Sequence, residues 1–141
     1  METARILRAA LLYPGLALLA GTPNASAAQD GLTEYQGAWV LEGRGCEDVY
    51  ASDGKTPAFK KPVDIFAPAF IISGKRLRTP MATCQIKSVR PAGDRQRLLL
   101  DCTNAVAGNE VTVLMAPAGG VITRYYDDRD TTGVGYRRCS R

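Results

Sequence analysis

Histidine is absent from the 141-residue chain. Its absence removes the commonest general base near neutral pH, the neutral-pH charge switch and the usual zinc ligand. It also excludes nucleophiles of the Ser-His and Cys-His kind. No glycine-rich phosphate loop is found, and the four cysteines contain no Cys-x-x-Cys redox motif. No cofactor is therefore expected. Long helical patterns are scarce, and neither an internal repeat nor a low-complexity tract is evident. A membrane span needs roughly 20 consecutive apolar residues, and no stretch of the chain supplies one.

What the chain does have begins at its first residues. Arg5 and Arg8 precede an apolar run from Ala9 to Ala20, which Pro14 and Gly15 interrupt. A small, polar stretch follows, ending in Ala25-Ser26-Ala27. A basic start, a short apolar middle and an Ala-x-Ala end form a secretory signal. Residues 1–27 are read as that signal, cleaved after Ala27 or Ala28, and residues 28–141 as one mature domain. Leu19-Ala20-Gly21 looks like the start of a lipobox, but Thr22 stands where the acylated cysteine is needed. Export to the periplasm is expected, with full secretion as the alternative. In either place Cys46, Cys84, Cys102 and Cys139 can pair.

The mature part keeps 16 of the 18 basic residues and 13 of the 14 acidic ones, a net charge of +3. The excess is mild and the basic residues are scattered, so nucleic acid is not an expected partner. Lys60-Lys61, Lys75-Arg76-Arg78 and Arg137-Arg138-Arg141 are the densest groups. They read as solvated strand faces and a frayed tail.

Glycine, proline, Asn and Asp recur at short intervals, with runs of Val, Ile, Leu, Phe and Tyr between them. This spacing predicts strands at 36–42, 69–73, 75–79, 82–90, 96–103, 110–116, 121–126 and 134–139. The expected class is all-β: an antiparallel barrel or sandwich of about eight strands. Residues 53–62 read as an exposed loop. A hairpin turn centred on Gly93 makes partner numbers sum to 186. Cys84 then faces Cys102, Ile86 faces Leu100 and Ser88 faces Leu98, all on one face. Opposed Cβ atoms in such a pair lie about 4.5–5.5 Å apart, close to what a disulfide requires. Cys84–Cys102 is the predicted bond, above a core of Ile86, Leu98 and Leu100. Cys46 and Cys139 are left to pair and would tie the first strand region to the last. A competing reading caps a helix with Asp94 and places Leu98, Cys102, Ala105 and Val106 on one side, with Gly108 ending it.

Gly37-Ala38-Trp39 near the start of an exported all-β chain resembles the opening strand of lipocalins and related calycin barrels. The resemblance implies that the tryptophan plugs a closed barrel end. The layout also resembles small periplasmic lysozyme-inhibitor barrels, which push a Ser and Lys loop into the lysozyme cleft. Ser73-Gly74-Lys75 has those residue types at a hairpin tip, although the inhibitors' later Trp-Lys-Gly element is missing. The same tripeptide also reads as plain turn chemistry.

Asp127, Asp128 and Asp130 form the densest acidic group, in Tyr125-Tyr126-Asp127-Asp128-Arg129-Asp130. Its spacing does not match a calcium loop, since the glycine comes late and no distal Glu follows. Arg124 and Arg129 are expected to neutralise it. Glu47 and Asp48, beside Cys46, read as strand neighbours facing opposite ways.

Three functions fit these readings. The first is a periplasmic binding module, either an inhibitor of a cell-wall hydrolase or a binder of a small apolar ligand. A carrier needs an apolar cavity under Trp39, and an inhibitor needs a protruding loop. The second is an envelope-associated interaction protein using Tyr125, Tyr126, Tyr136 and Arg137, residue types favoured at interfaces. The third is a hydrolase working through Asp127, Asp128 or Asp130. The first assigns binding to Ser73, Lys75, Tyr125 and Tyr126, with no catalytic residue. The expected partner is a periplasmic or extracellular protein.

Overall fold

The computed structural model describes residues 31–139. The signal sequence expected at residues 1–27 lies outside the described residues. Eight strands form the fold: β1 (Gly37–Leu41), β2 (Ala69–Ser73), β3 (Arg76–Arg78), β4 (Ala82–Ala92), β5 (Arg95–Asn104), β6 (Gly108–Ala118), β7 (Val121–Tyr125) and β8 (Val134–Cys139). Each pairs antiparallel with the next, and β8 returns to β1, so the sheet is a closed up-and-down barrel. Closure leaves no free sheet edge for another chain to extend. The sandwich and the helix at residues 94–108 are thereby excluded; the latter segment is mostly β5.

Period-two alternation decides what faces inward. Trp39, Phe70, Ile72, Leu77, Ile86, Leu98 and Ile122 fill the interior. On β1 and β2 the intervening Ala38, Val40, Ala69 and Ile71 are buried as well, in a second core outside the barrel. That outer core is roofed by the long β1–β2 connection, residues 42–68. Strands covered on both faces read as unbroken apolar runs, which is why Phe70-Ile71-Ile72 shows no alternation.

The connection is not all loop. It opens with a short helix, α1 (Cys46–Val49), so Glu47 and Asp48 stand on a helical turn and not on a strand. Asp48 accepts from the Gly45 N–H and caps that turn. Tyr50 bridges to Phe59, and their rings stack 5.5 Å apart. The Tyr50 hydroxyl reaches the carbonyls of Trp39 (2.6 Å) and Phe70 (3.0 Å), pinning the connection to β1 and β2.

Cys46 and Cys139 form one disulfide and Cys84 and Cys102 the other. The hairpin register holds for Cys84 with Cys102 and for Ile86 with Leu100, then slips by one at a bulge between Ile86 and Ser88. Ser88 therefore faces Leu99, and Val89 faces Leu98. The bulge keeps a hydroxyl out of the closed-end core and packs Val89 there instead. Arg137 and Arg138 are not part of a frayed tail, and Arg141 lies outside the described residues. Arg137 donates to the Arg44 carbonyl at 2.7 Å, and Arg138 joins the closed end of the barrel.

Candidate functional site

The two barrel ends are built differently. At one end a single 3-10 turn, Thr33–Tyr35, crosses the opening. Its fully buried Tyr35 donates to Gln96 at 2.7 Å. The Trp39 indole N–H donates to the Tyr35 carbonyl at 2.8 Å. Arg138 lays its guanidinium 4.7 Å from the Trp39 ring centroid and donates to the Glu34 carbonyl at 2.8 Å. Cation, ring and turn thus lock one another. Burial pushes both the Tyr35 and the Tyr50 phenols well above the usual tyrosine value.

At the opposite end the barrel is hollow. A cavity of about 410 Å³ runs inward between the strands, within the size range of ligand sites. Phe70, Met115 and Tyr136 line its inner part, and Leu77, Leu100, Val111 and Val113 its walls. The Cys84–Cys102 disulfide also contributes to the wall. Phe70 stands between Trp39 (ring centroids 6.3 Å apart) and Tyr136 (5.1 Å). Trp39 thus belongs to the plug beneath the cavity and does not line it. Thr79, Met81, Asn104 and Asn109 mark the mouth.

Val63, Ile65, Phe66, Met81, Val106, Tyr126 and Val134 are the exposed large apolar side chains of the described residues. All lie in the connections at this end, or, for Val134, where β8 leaves it. Of these, Ile65 and Met81 line the cavity.

One cavity residue escaped the sequence reading. Arg124 shares the inward face of β7 with Ile122 and lines the cavity. It does not neutralise the aspartates, as the sequence led one to expect. Arg97 pairs with Asp128 at 3.0 Å, and Arg95 donates to the carbonyls of Asp127 and Asp130. The Arg124 side chain is exposed and makes no hydrogen bond or ion pair among the described residues. Its two-residue offset from Ile122 was the available signal.

The binding residues expected from sequence are not brought together. Ser73 and Lys75 flank the tight β2–β3 turn at the plugged end. Gly74 takes φ +59° there, a left-handed conformation that suits glycine. Gln36 grips that turn, accepting from the Gly74 N–H (2.8 Å) and donating to its carbonyl (3.1 Å). Tyr125 faces outward beneath the Arg95 guanidinium, 3.6 Å from its ring centroid. Tyr126 is 91% exposed at the start of the β7–β8 loop.

The aspartates of that loop build its turns. Asp127 accepts from the Arg129 and Asp130 N–H groups, and Asp130 from those of Tyr126, Thr132 and Gly133. These backbone donors hold the Asp130 carboxyl below the usual aspartate value. A general acid needs a shift in the opposite direction. Among the described residues no group of three His, Cys, Asp or Glu side chains is placed to hold a metal ion. No described helix is long and apolar enough to cross a membrane. Two disulfides point to an oxidising, extracytoplasmic compartment. No family model matches the chain, and neither a curated protein nor a solved structure matches it.

Proposed function

We propose that this protein is a periplasmic carrier that shelters a small, largely apolar ligand inside its barrel. The observation that carries the reading is the apolar cavity of about 410 Å³ at the open end, above an aromatic plug. An apolar chamber with few polar groups is the usual form of a small-molecule site. Exposed Ile65 and Met81 carry the lining to the surface and give an apolar ligand a path inward. The resemblance to calycin barrels agrees with this, since Trp39 sits at the plugged end. Periplasmic location rests on the signal-like start of the chain and the two disulfides.

The inhibitor reading has less support. Its loop would be Ser73-Gly74-Lys75, a tight turn gripped by Gln36, and not a protruding segment. The carboxylates of the hydrolase reading are engaged by backbone N–H groups and Arg97.

The test uses a neutral apolar dye, N-phenyl-1-naphthylamine, whose fluorescence rises in an apolar site. The purified protein is expected to bind it with one-to-one saturation. Val113→Phe, which puts a ring into the cavity, should weaken binding by about tenfold or more without lowering stability by more than ~1–3 kcal/mol. Equal dye binding by the native and filled proteins would contradict the carrier reading.

A further inference from the structure

We infer that the ligand carries one acidic group and that Arg124 binds it. This rests on the carrier reading and names the chemistry of the same cavity. Among the described residues Arg124 is the only charged side chain lining the chamber, and no described carboxylate lines it. The strand carboxylates nearest in sequence to the wall residues face the other way. Asp101 lies between the inward Leu100 and Cys102, and its register partner Glu110 precedes the inward Val111.

Guanidinium stays ionised at any ordinary pH. Arg124 is solvent-exposed where it lines the open side of the cavity, so its charge stays hydrated in the empty protein and is available to an anionic head group. Several other arginines of this chain are engaged: Arg78 with Pro57, Arg95 with the aspartate loop, Arg97 with Asp128, Arg137 with Arg44 and Arg138 with Trp39 and Glu34. The side chains of Arg44, Arg76, Arg90, Arg124 and Arg129 have no such partner among the described residues, and of these Arg124 alone lines the cavity. Its planar fork matches a carboxylate or a phosphate monoester by two parallel hydrogen bonds. The remaining lining takes an acyl chain or a similar apolar body. The ligand class is therefore an anionic amphiphile, with its head on Arg124 and its body among Leu77, Val111, Val113 and Met115.

Displacement of N-phenyl-1-naphthylamine tests this, with dodecanoate, dodecyl phosphate and dodecan-1-ol as competitors at neutral pH. The native protein is expected to take at least one of the two anions about tenfold more tightly than the alcohol. Which anion is preferred separates a fatty-acid ligand from a phosphorylated lipid fragment. Arg124→Gln should abolish the preference while the dye still saturates one-to-one, which also shows that the chamber is intact. Arg124→Lys should keep part of it. Equal affinity of acid and alcohol in the native protein, or an undiminished preference in Arg124→Gln, overturns the inference and leaves the carrier reading standing. Failure of the dye itself to bind overturns both.

Discussion

Replacing Cys46 and Cys139 together with alanine opens the longer of the two disulfide loops. The bonded cysteines are 93 residues apart in sequence, against 18 for Cys84 and Cys102. On the loop-entropy account the longer loop contributes about 4.6 kcal/mol at 25 °C and the shorter about 3.2 kcal/mol. Small domains have roughly 5–15 kcal/mol of total stability, so losing the long loop removes much of it. The packing consequences are modest. Cys46 and Cys139 lie against the outer core of Ala38, Val40 and Tyr50 and are only half-buried. Barrel closure itself rests on the β1–β8 ladder from Ala38–Cys139 to Leu41–Tyr136, which the substitution spares. The native fold should therefore persist at a lower midpoint. Urea unfolding followed by the emission of Trp39, the sole tryptophan, reads this directly. The midpoint should fall by an amount equivalent to about 4–5 kcal/mol, and m should rise because the freed unfolded chain exposes more surface. A loss below about 1 kcal/mol with m unchanged would refute the reasoning.

Alkaline stability is set by Tyr35 and Tyr50, whose folded values lie above the ordinary tyrosine value. Their contribution is intact below the unfolded value of about 10 and falls above it by ~1.4 kcal/mol per pH unit per tyrosine. Tyr35→Phe and Tyr50→Phe should each flatten that decline in a pH series of urea midpoints, and an unaltered slope would count against both. Arg138→Ala, which frees the Trp39 ring and the Glu34 carbonyl, should cost about 1–2 kcal/mol. Thermal melts that match native to within error would show the plug needs no cation. Gly133 sits at φ +66°, and an added Cβ would run into the Thr123 and Tyr125 side chains. Gly133→Ala should therefore cost about 2 kcal/mol by calorimetry. Arg97→Ala breaks an exposed pair and should shift stability by no more than about 0.5 kcal/mol.

Strand positions and both disulfides were legible because they depend on local alternation and on turn chemistry. Gly93 placed the hairpin, and the register carried Cys84 onto Cys102. It failed two residues later, at Ser88, because a bulge answers to what the closed-end core accepts, and that is set by distant residues. The α1 turn was hidden for a related reason. Its four residues are held by tertiary contacts of the β1–β2 connection, not by a helical pattern of their own. Arg137 and Arg138 looked like a solvated tail, since nothing in the sequence brings Glu34 and Arg44 to them. Trp39 was legible as a plug only through the likeness of Gly37-Ala38-Trp39 to calycin openings. The cavity above it was not, since hollow and filled barrels share the same alternation, and its volume follows from side chains on seven different strands and connections. Arg124 was misread for its proximity to three aspartates in sequence, when strand parity turns it inward.

The central claim is that an apolar ligand occupies the open half of this barrel. Methyl-resolved NMR during titration with N-phenyl-1-naphthylamine tests it most directly. Resonances of Leu77, Val111, Val113 and Met115 should shift together and saturably, while those of Leu32 in the plug and Val40 in the outer core stay in place. Shifts confined to the plugged end around Ser73 and Lys75, or no saturable shift at all, would contradict the account.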